Sequence, residues 1–252
     1  MQTTARLEGD DYIVNGTKRY ITNAPRADVF TLMARTGTAE EGSKGITAFL
    51  MDANLPGIEL GKPEKKMGQH GTQICDVMMT DVRIPKSAII GGVANLGFKT
   101  AMKTLNRGRL TIGAMSVGIA RRLINDSLKY AVERKQFNQA IANFQLVQAM
   151  LADSETELYA AKCMLDETAR KYDQGGNISR YTAATKLYCT EMVGRVADRA
   201  VQIHGGAGYI SDYGIERFYR DVRVLRLYEG TTQIQQLIIA KDMIKEFEQC
   251  SS

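Results

Sequence analysis

The chain has 252 residues, 44% of them hydrophobic and 24% charged, with a formal net charge of +5, which allows one large or two small globular domains. No run approaches the roughly 20 uninterrupted apolar residues of a bilayer-spanning helix, the first residues carry no apolar signal-peptide core, and lysines and arginines are interleaved with acids, so composition argues against a membrane protein, an export signal and a nucleic-acid footprint. Cys75, Cys163, Cys189 and Cys250 form no CxxC pair and fit reduced thiols, while a total of two histidines, His70 and His204, excludes a His-rich metal site.

From Thr3 to about Ile90, short β-rich runs alternate with turn signals: Tyr12-Ile13-Val14, Val29 to Ala34, Ile46 to Met51 and Ile74 to Met79. Asn15-Gly16 predicts a hairpin turn, because both residues tolerate positive φ. After Gly91-Gly92 the spacing becomes helical. Phe98, Ala101, Met102 and Leu105, then Ile112, Met115 and Ile119 past Gly108, give a first stripe; Phe144, Val147, Leu151, Leu158 and Leu165 give a second, stopped by Gly175-Gly176. A third runs through Ala184, Leu187, Tyr188, Met192, Val196 and Ala200, and a fourth through Ile234, Leu237, Ile238, Met243 and Phe247. The expected fold is an antiparallel β-barrel or sandwich domain over 1–90, followed by an antiparallel four-helix bundle over 91–252.

Four polar clusters interrupt this pattern. Tyr20-Ile21-Thr22-Asn23-Ala24-Pro25 reads on its own as a strand end and turn. Glu133-Arg134-Lys135-Gln136-Phe137, followed by Phe144-Gln145, offers an arginine fork for phosphate and amides for ribose or pyrophosphate; an ordinary helix-connecting loop explains it equally well. Gln202-Ile203-His204-Gly205-Gly206-Ala207-Gly208-Tyr209 is either a helix C-cap or a place where a nucleotide diphosphate meets bare amides, and it is not a GxGxxG after a strand. In Leu227-Tyr228-Glu229-Gly230-Thr231-Thr232-Gln233, a carboxylate precedes the last helix, which Thr231 or Thr232 can cap. Its apolar neighbours Leu225, Leu227 and Tyr228 favour a buried, basic carboxylate over a mere helix-end Glu.

Taken together and in this order, the clusters resemble the acyl-CoA dehydrogenase family. The most specific parts are Val132 to Phe137, Gln202 to Gly206, and Tyr219-Arg220-Asp221 leading to Tyr228-Glu229-Gly230-Thr231. The resemblance implies FAD held between subunits of a homotetramer, a dimer of dimers, with Tyr20, Ile21 and Thr22 beside the flavin ring. Arg134, Gln136, Phe137 and Gln145, with Gln202, Gly205 and Gly206 of a neighbouring subunit, would hold the adenosine diphosphate part, and Thr231 and Gln233 would complete the site. It implies α,β-dehydrogenation of a fatty acyl-CoA in β-oxidation: Glu229 takes the α-proton, the β-hydride goes to flavin N5, and electrons pass to an electron-transfer flavoprotein. Thr72, Asn106, Arg109 and Gly230 would meet the substrate, and burial would make Glu229 a stronger base. Some relatives carry the base at the position of Gly108, where this chain has no carboxylate.

Relative to the family, the chain falls after a Thr-Glu-Pro-Gly-Ala-Gly-Ser-Asp segment and lacks the N-terminal helical domain, so it is expected to be a fragment or a late-starting gene product. Its expected location is the cytoplasm, or the mitochondrial matrix in a eukaryote. Competing expectations are an acyl-CoA oxidase, a DNA-binding relative on the same scaffold, or an inactive fragment.

Overall fold

The computed structural model describes residues 1–176 and 178–251, which divide into two compact units, Met1–Thr104 and Leu105–Ser252. Among the described residues, no helix is long and apolar enough to cross a membrane.

The first unit is built on six strands: β1 (Thr4–Glu8), β2 (Asp11–Thr22), β3 (Val29–Arg35), β4 (Ile46–Asp52), β5 (Ile58–Leu60) and β6 (Ile74–Pro85). They lie in the order β4-β3-β1-β2-β6-β5. All pairs are antiparallel except β1 with β3, which run parallel and meet at Thr4 and Arg35. The expected antiparallel barrel or sandwich is therefore corrected to an open, mixed sheet. β5 is three residues long, and among the described residues no ladder joins it to β4. Val14, Leu32, Ala34, Phe49, Met51, Val82 and Ile84 share one core, as alternation along half-buried strands requires.

The hairpin predicted at Asn15-Gly16 forms instead at Gly9-Asp10, where Glu8 pairs with Asp11 and Gly9 has φ 62°. Asn15 and Gly16 sit inside β2 at a register shift against β6. There the Asn15 side chain exchanges hydrogen bonds with Asp81 at 2.9 and 3.0 Å, and a Cβ on Gly16 would stand 2.8 Å from Thr3 Cα. The glycine serves a bulge and a close strand approach, which the dipeptide alone does not distinguish from a turn.

The second unit holds the long helices α1 (Gly97–Glu133, which begins in the first unit), α2 (Gln145–Gln174), α3 (Ser179–His204) and α6 (Thr232–Cys250), with short helices α4 (Gly206–Tyr209) and α5 (Ile215–Val222) that no stripe predicted. The four long helices match the four stripes, and α1 runs unbroken through Gly108. At Gly113 a Cβ would touch Thr185 at 3.3 Å and Leu165 at 3.5 Å, so a small residue lets three helices approach.

The phase of the stripes differs from expectation in three helices. In α1 the buried line is Arg109, Ile112, Ser116, Ala120, Leu123, Ser127 and Ala131, while Met115 is exposed. In α3 the expected Met192, Val196 and Ala200 are buried, but towards the start of the helix the buried line passes through Ala183, Lys186 and Cys189, leaving Leu187 and Tyr188 half-buried. In α6 the only buried residue among those described is Gln235, and Ile234, Leu237, Met243 and Phe247 face solvent. Hydrophobicity alone misplaced these faces because each buried line contains polar side chains.

Candidate active site

Glu229 lies between the single turn 223–226 and the start of α6. Glu229 and Gly230 have φ of 55° and 92°, so the backbone is left-handed at both, which is uncommon for a residue with a Cβ. The Glu229 side chain is half-buried, not enclosed as its apolar neighbours suggested; of these Leu225 is fully buried and Leu227 exposed. Its carboxylate rests over α1: a Cβ added to Gly108 would stand 2.6 Å from Glu229 Oε2. Gly108 therefore provides the space the carboxylate occupies.

Arg109 is 4% exposed, donates through Nη1 to Asn106 Oδ1 at 2.7 Å, and has no hydrogen-bond partner for Nε among the described residues. Burial lowers its guanidinium from the ordinary value, and the Glu229 charge pulls the other way. Thr231, not Thr232, caps α6, accepting the Ile234 N–H on its hydroxyl at 3.3 Å; Gln233 is exposed beside it. Among the described residues, the Glu229 backbone N–H has no backbone acceptor.

Three residues that the motifs did not single out support this turn. Lys186, on α3, donates to the Gly230 carbonyl at 2.8 Å. Gln235, on α6, donates to the carbonyls of Glu229 and Gly230 at 3.1 and 2.9 Å. Glu191, also on α3, accepts from Arg226 at 3.2 Å and from the Thr232 hydroxyl at 2.7 Å, tying both flanks of the turn to one side chain. The sequence held a signal for Lys186, a charged residue in phase with a buried helical line, but it is visible only once the line's phase is known.

A cleft of about 520 Å³ lies elsewhere in the same unit, lined by Tyr130, Arg134, Gln136, His204, Gly205 and Gly206 among others. After α1, Lys135–Gln136 (β7) pairs with Gln139–Ala140 (β8) through a two-residue turn in which Phe137 and Asn138 have φ of 51° and 66°. Asn138 thus occupies the left-handed conformation that asparagine tolerates. Gly205 caps α3, its N–H donating to Gln202 at 3.1 Å, and nothing stands within 4 Å of a Cβ on Gly205 or Gly206. An arginine fork, an amide and two bare glycines around one cleft fit a nucleotide diphosphate; the glycines come from the same chain as Arg134 and Gln136, which corrects the expectation that a neighbouring subunit supplies them.

His204 is structural: its Nδ1–H donates to the Ala200 carbonyl at 2.7 Å and its ring stacks on Tyr130 at 4.4 Å. Three predicted contacts stand outside the cleft lining. Phe137 is 86% exposed and edge-on to Phe144, Gln145 is exposed at the start of α2, and Gln202 is exposed in the last turn of α3.

In the first unit, Tyr20, Ile21 and Thr22 end β2. Tyr20 has φ 56° at a register shift, is exposed, and donates its N–H to Asp76 at 3.1 Å. Thr22 pairs with Ile74, two residues beyond Thr72, so these residues share one end of the β2–β6 ladder. The Thr72 hydroxyl accepts from Lys66 at 2.7 Å and donates to Gln69 at 3.2 Å.

These features define a chain of the acyl-CoA dehydrogenase family: residues 1–82 match the acyl-CoA dehydrogenase middle domain and 95–244 the acyl-CoA dehydrogenase C-terminal domain, and the chain belongs to this family. Among proteins of known sequence, it is 46% identical to a 3-(aryl)acrylate reductase of Clostridium sporogenes over 96% of its own length and 64% of that protein's. It is 43% identical to the CarC subunit of the caffeyl-CoA reductase-Etf complex of Acetobacterium woodii, over 98% of the chain and 64% of that protein. The solved butyryl-CoA dehydrogenase of Megasphaera elsdenii superposes with a TM-score of 0.92 at 34% identity, covering 96% of this chain and 63% of that one. The chain thus spans a little less than two thirds of the length of these relatives.

Proposed function

We propose that the chain carries the base, and parts of the flavin and thioester sites, of an oxidoreductase that interconverts an acyl-CoA and its α,β-unsaturated counterpart. The observation that carries this reading is the Glu229 carboxylate, held over Gly108 beside Arg109 on a left-handed turn. An α-proton of a thioester is a weak acid, so its removal needs both a positioned base and a donor for the charge that develops on the carbonyl oxygen. Glu229 supplies both: its carboxylate takes the α-proton, and its backbone N–H is available to the thioester oxygen. Asn106, Arg109 and Gly230 would meet the rest of the substrate, and the family resemblance assigns a substrate contact to Thr72 of the first unit.

FAD, when bound, supplies the acceptor for the hydride that leaves the β-carbon. Arg134, Gln136, Gly205 and Gly206, which line the cleft, would hold its adenosine diphosphate part together with Phe137, Gln145 and Gln202; Thr231 and Gln233 would serve the ribityl and phosphate region, and the family resemblance assigns Tyr20, Ile21 and Thr22 of the first unit to the ring. The exposed positions of Phe137 and Gln202, and the apolar face that α6 leaves uncovered, suit residues completed by another subunit of a homotetramer. An electron-transfer flavoprotein is the proposed redox partner, a reading supported by the Etf complex named for the Acetobacterium woodii relative.

A fatty acyl-CoA is the first substrate reading. The names of the relatives at 46% and 43% identity favour a second, in which the same site works in reverse on an aryl-substituted acrylyl thioester and Glu229 gives its proton to the α-carbon. The test is anaerobic flavin absorbance of the loaded chain. Bleaching by butyryl-CoA supports oxidation of a fatty acyl thioester, and return of colour to the reduced protein on adding cinnamoyl-CoA supports the reductive reading. Equal rates in Glu229→Gln would remove Glu229 from both.

A further inference from the structure

The Glu229 turn is gripped at its carbonyls by two side chains of the core. Lys186 and Gln235 are both 0% exposed. A fully buried lysine is unfavourable unless its amine is put to use, and an apolar side chain of similar length would fill the same volume at lower cost. Among the described residues Lys186 forms no ion pair; its amine donates to the Gly230 carbonyl at 2.8 Å. Gln235 reaches that same carbonyl at 2.9 Å and the preceding one at 3.1 Å. A Cβ on Gly230 would stand 2.6 Å from Gln235 Nε2, so the amide donor and the glycine fit only together. The gripped backbone is left-handed at two successive residues, one of which bears a side chain, and such a turn persists only where its surroundings over-determine it.

We propose that Lys186 and Gln235 are positioning residues for the proton transfer: by holding the carbonyls of Glu229 and Gly230, they fix where the Glu229 carboxylate and its backbone N–H stand. The assignment rests on Glu229 as the base, but the grip itself is a property of the turn and can be read without any reaction. The charged groups around the amine are Arg109 on α1, Glu191 on α3 and Glu229 on the turn. Burial lowers the ammonium to about 8, Glu191 and Glu229 opposing and Arg109 adding to the effect. A neutral amine still carries two N–H donors, so the grip does not depend on charge.

The test uses the full chain with Lys186→Met, Lys186→Arg and Gln235→Leu, read in two ways. Amide hydrogen exchange of 227–232, measured without ligand well below the unfolding midpoint, is expected to speed up about tenfold in Lys186→Met and Gln235→Leu, while the rest of α3 and α6 keeps its protection. In the FAD-loaded chain, the limiting rate of flavin bleaching by butyryl-CoA is expected to fall about tenfold or more, with the half-saturating concentration within about threefold, as a displaced reacting group requires. Lys186→Arg, which keeps donors, is expected to recover much of both. If Lys186→Met merely lowers the unfolding midpoint while local exchange and bleaching rate stay at wild-type values, the lysine only fills the core and the proposal fails. Should that variant not fold, Gln235→Leu decides on the same readouts. If Glu229→Gln bleaches normally, the base assignment falls, yet the exchange of 227–232 still decides whether the grip exists.

Discussion

Two parts of the second unit are assigned to the same chemistry, and they are built in opposite ways. The Glu229 turn is held from three sides: Lys186 and Gln235 on its carbonyls, Glu191 on both flanks, and Gly108 beneath the carboxylate. The cleft with Arg134, Gln136, Gly205 and Gly206 has exposed side chains and open glycines, with Phe137 almost wholly in solvent. The contrast separates two tasks. A group that removes a proton must be fixed before the substrate arrives, because small displacements cost large factors in rate. A surface that binds a flexible dinucleotide can be completed by the ligand or by another subunit.

The contrast can be broken most directly at the proposed base. Glu229→Gln is expected to slow flavin bleaching about a thousandfold while leaving FAD retention unchanged, since proton transfer and not binding is removed. Retention lost in this variant would show that the two regions are not separable. Gly108→Ala sharpens the point. Its added methyl meets the carboxylate, a mobile side-chain end, so the rate is expected to fall about a hundredfold. Thermal stability should hold or rise, because alanine replaces glycine inside α1. Arg134→Ala in the cleft is expected to do the reverse, weakening FAD retention about tenfold on loss of a charge-assisted contact, with little effect on the bleaching rate once loaded. Asn138→Ala carries the smallest effect. A Cβ residue without the asparagine side chain at φ 66° costs about 1 kcal/mol, which lowers the midpoint by a few degrees, and Asn138→Gly should not.

Lys186 also gives the turn a pH signature. Its folded value of about 8 lies below the ordinary 10.5, so between these values the unfolded chain holds the proton more tightly. The lysine's contribution to stability is therefore least favourable below about pH 8 and improves as pH rises toward 10.5. Cys189 acts oppositely, since burial raises its thiol from 9.0 to about 12 and stability falls as pH rises between them. The difference between wild type and Lys186→Met isolates the lysine: it should grow in favour of the wild type across that upper range, and a flat difference would mean the amine is not buried in solution.

Much of the architecture follows from the sequence alone. The four helical stripes, Gly175-Gly176 as a stop, the change from strand to helix after Gly91-Gly92, and the polar clusters about Arg134, Gly205 and Glu229 depend on local preference and spacing. These properties belong to a stretch of chain before it meets any other. What local pattern could not supply was phase and partnership. Gly16 looked like a turn and serves a bulge, because only the neighbouring strand decides which. Gln202 and Gly205 stand in one motif, yet only the glycine lines the cleft. Lys186 and Gln235 belong to none of the apolar stripes or polar motifs, and lie fully buried because the carbonyls they satisfy come from a turn 44 and five residues away. The sequence alone determined that a carboxylate would stand at 229 on a glycine turn before the last helix. The tertiary structure alone decided that the turn is left-handed, half-buried and gripped at its carbonyls, because a buried polar group finds its partner in space and not along the chain.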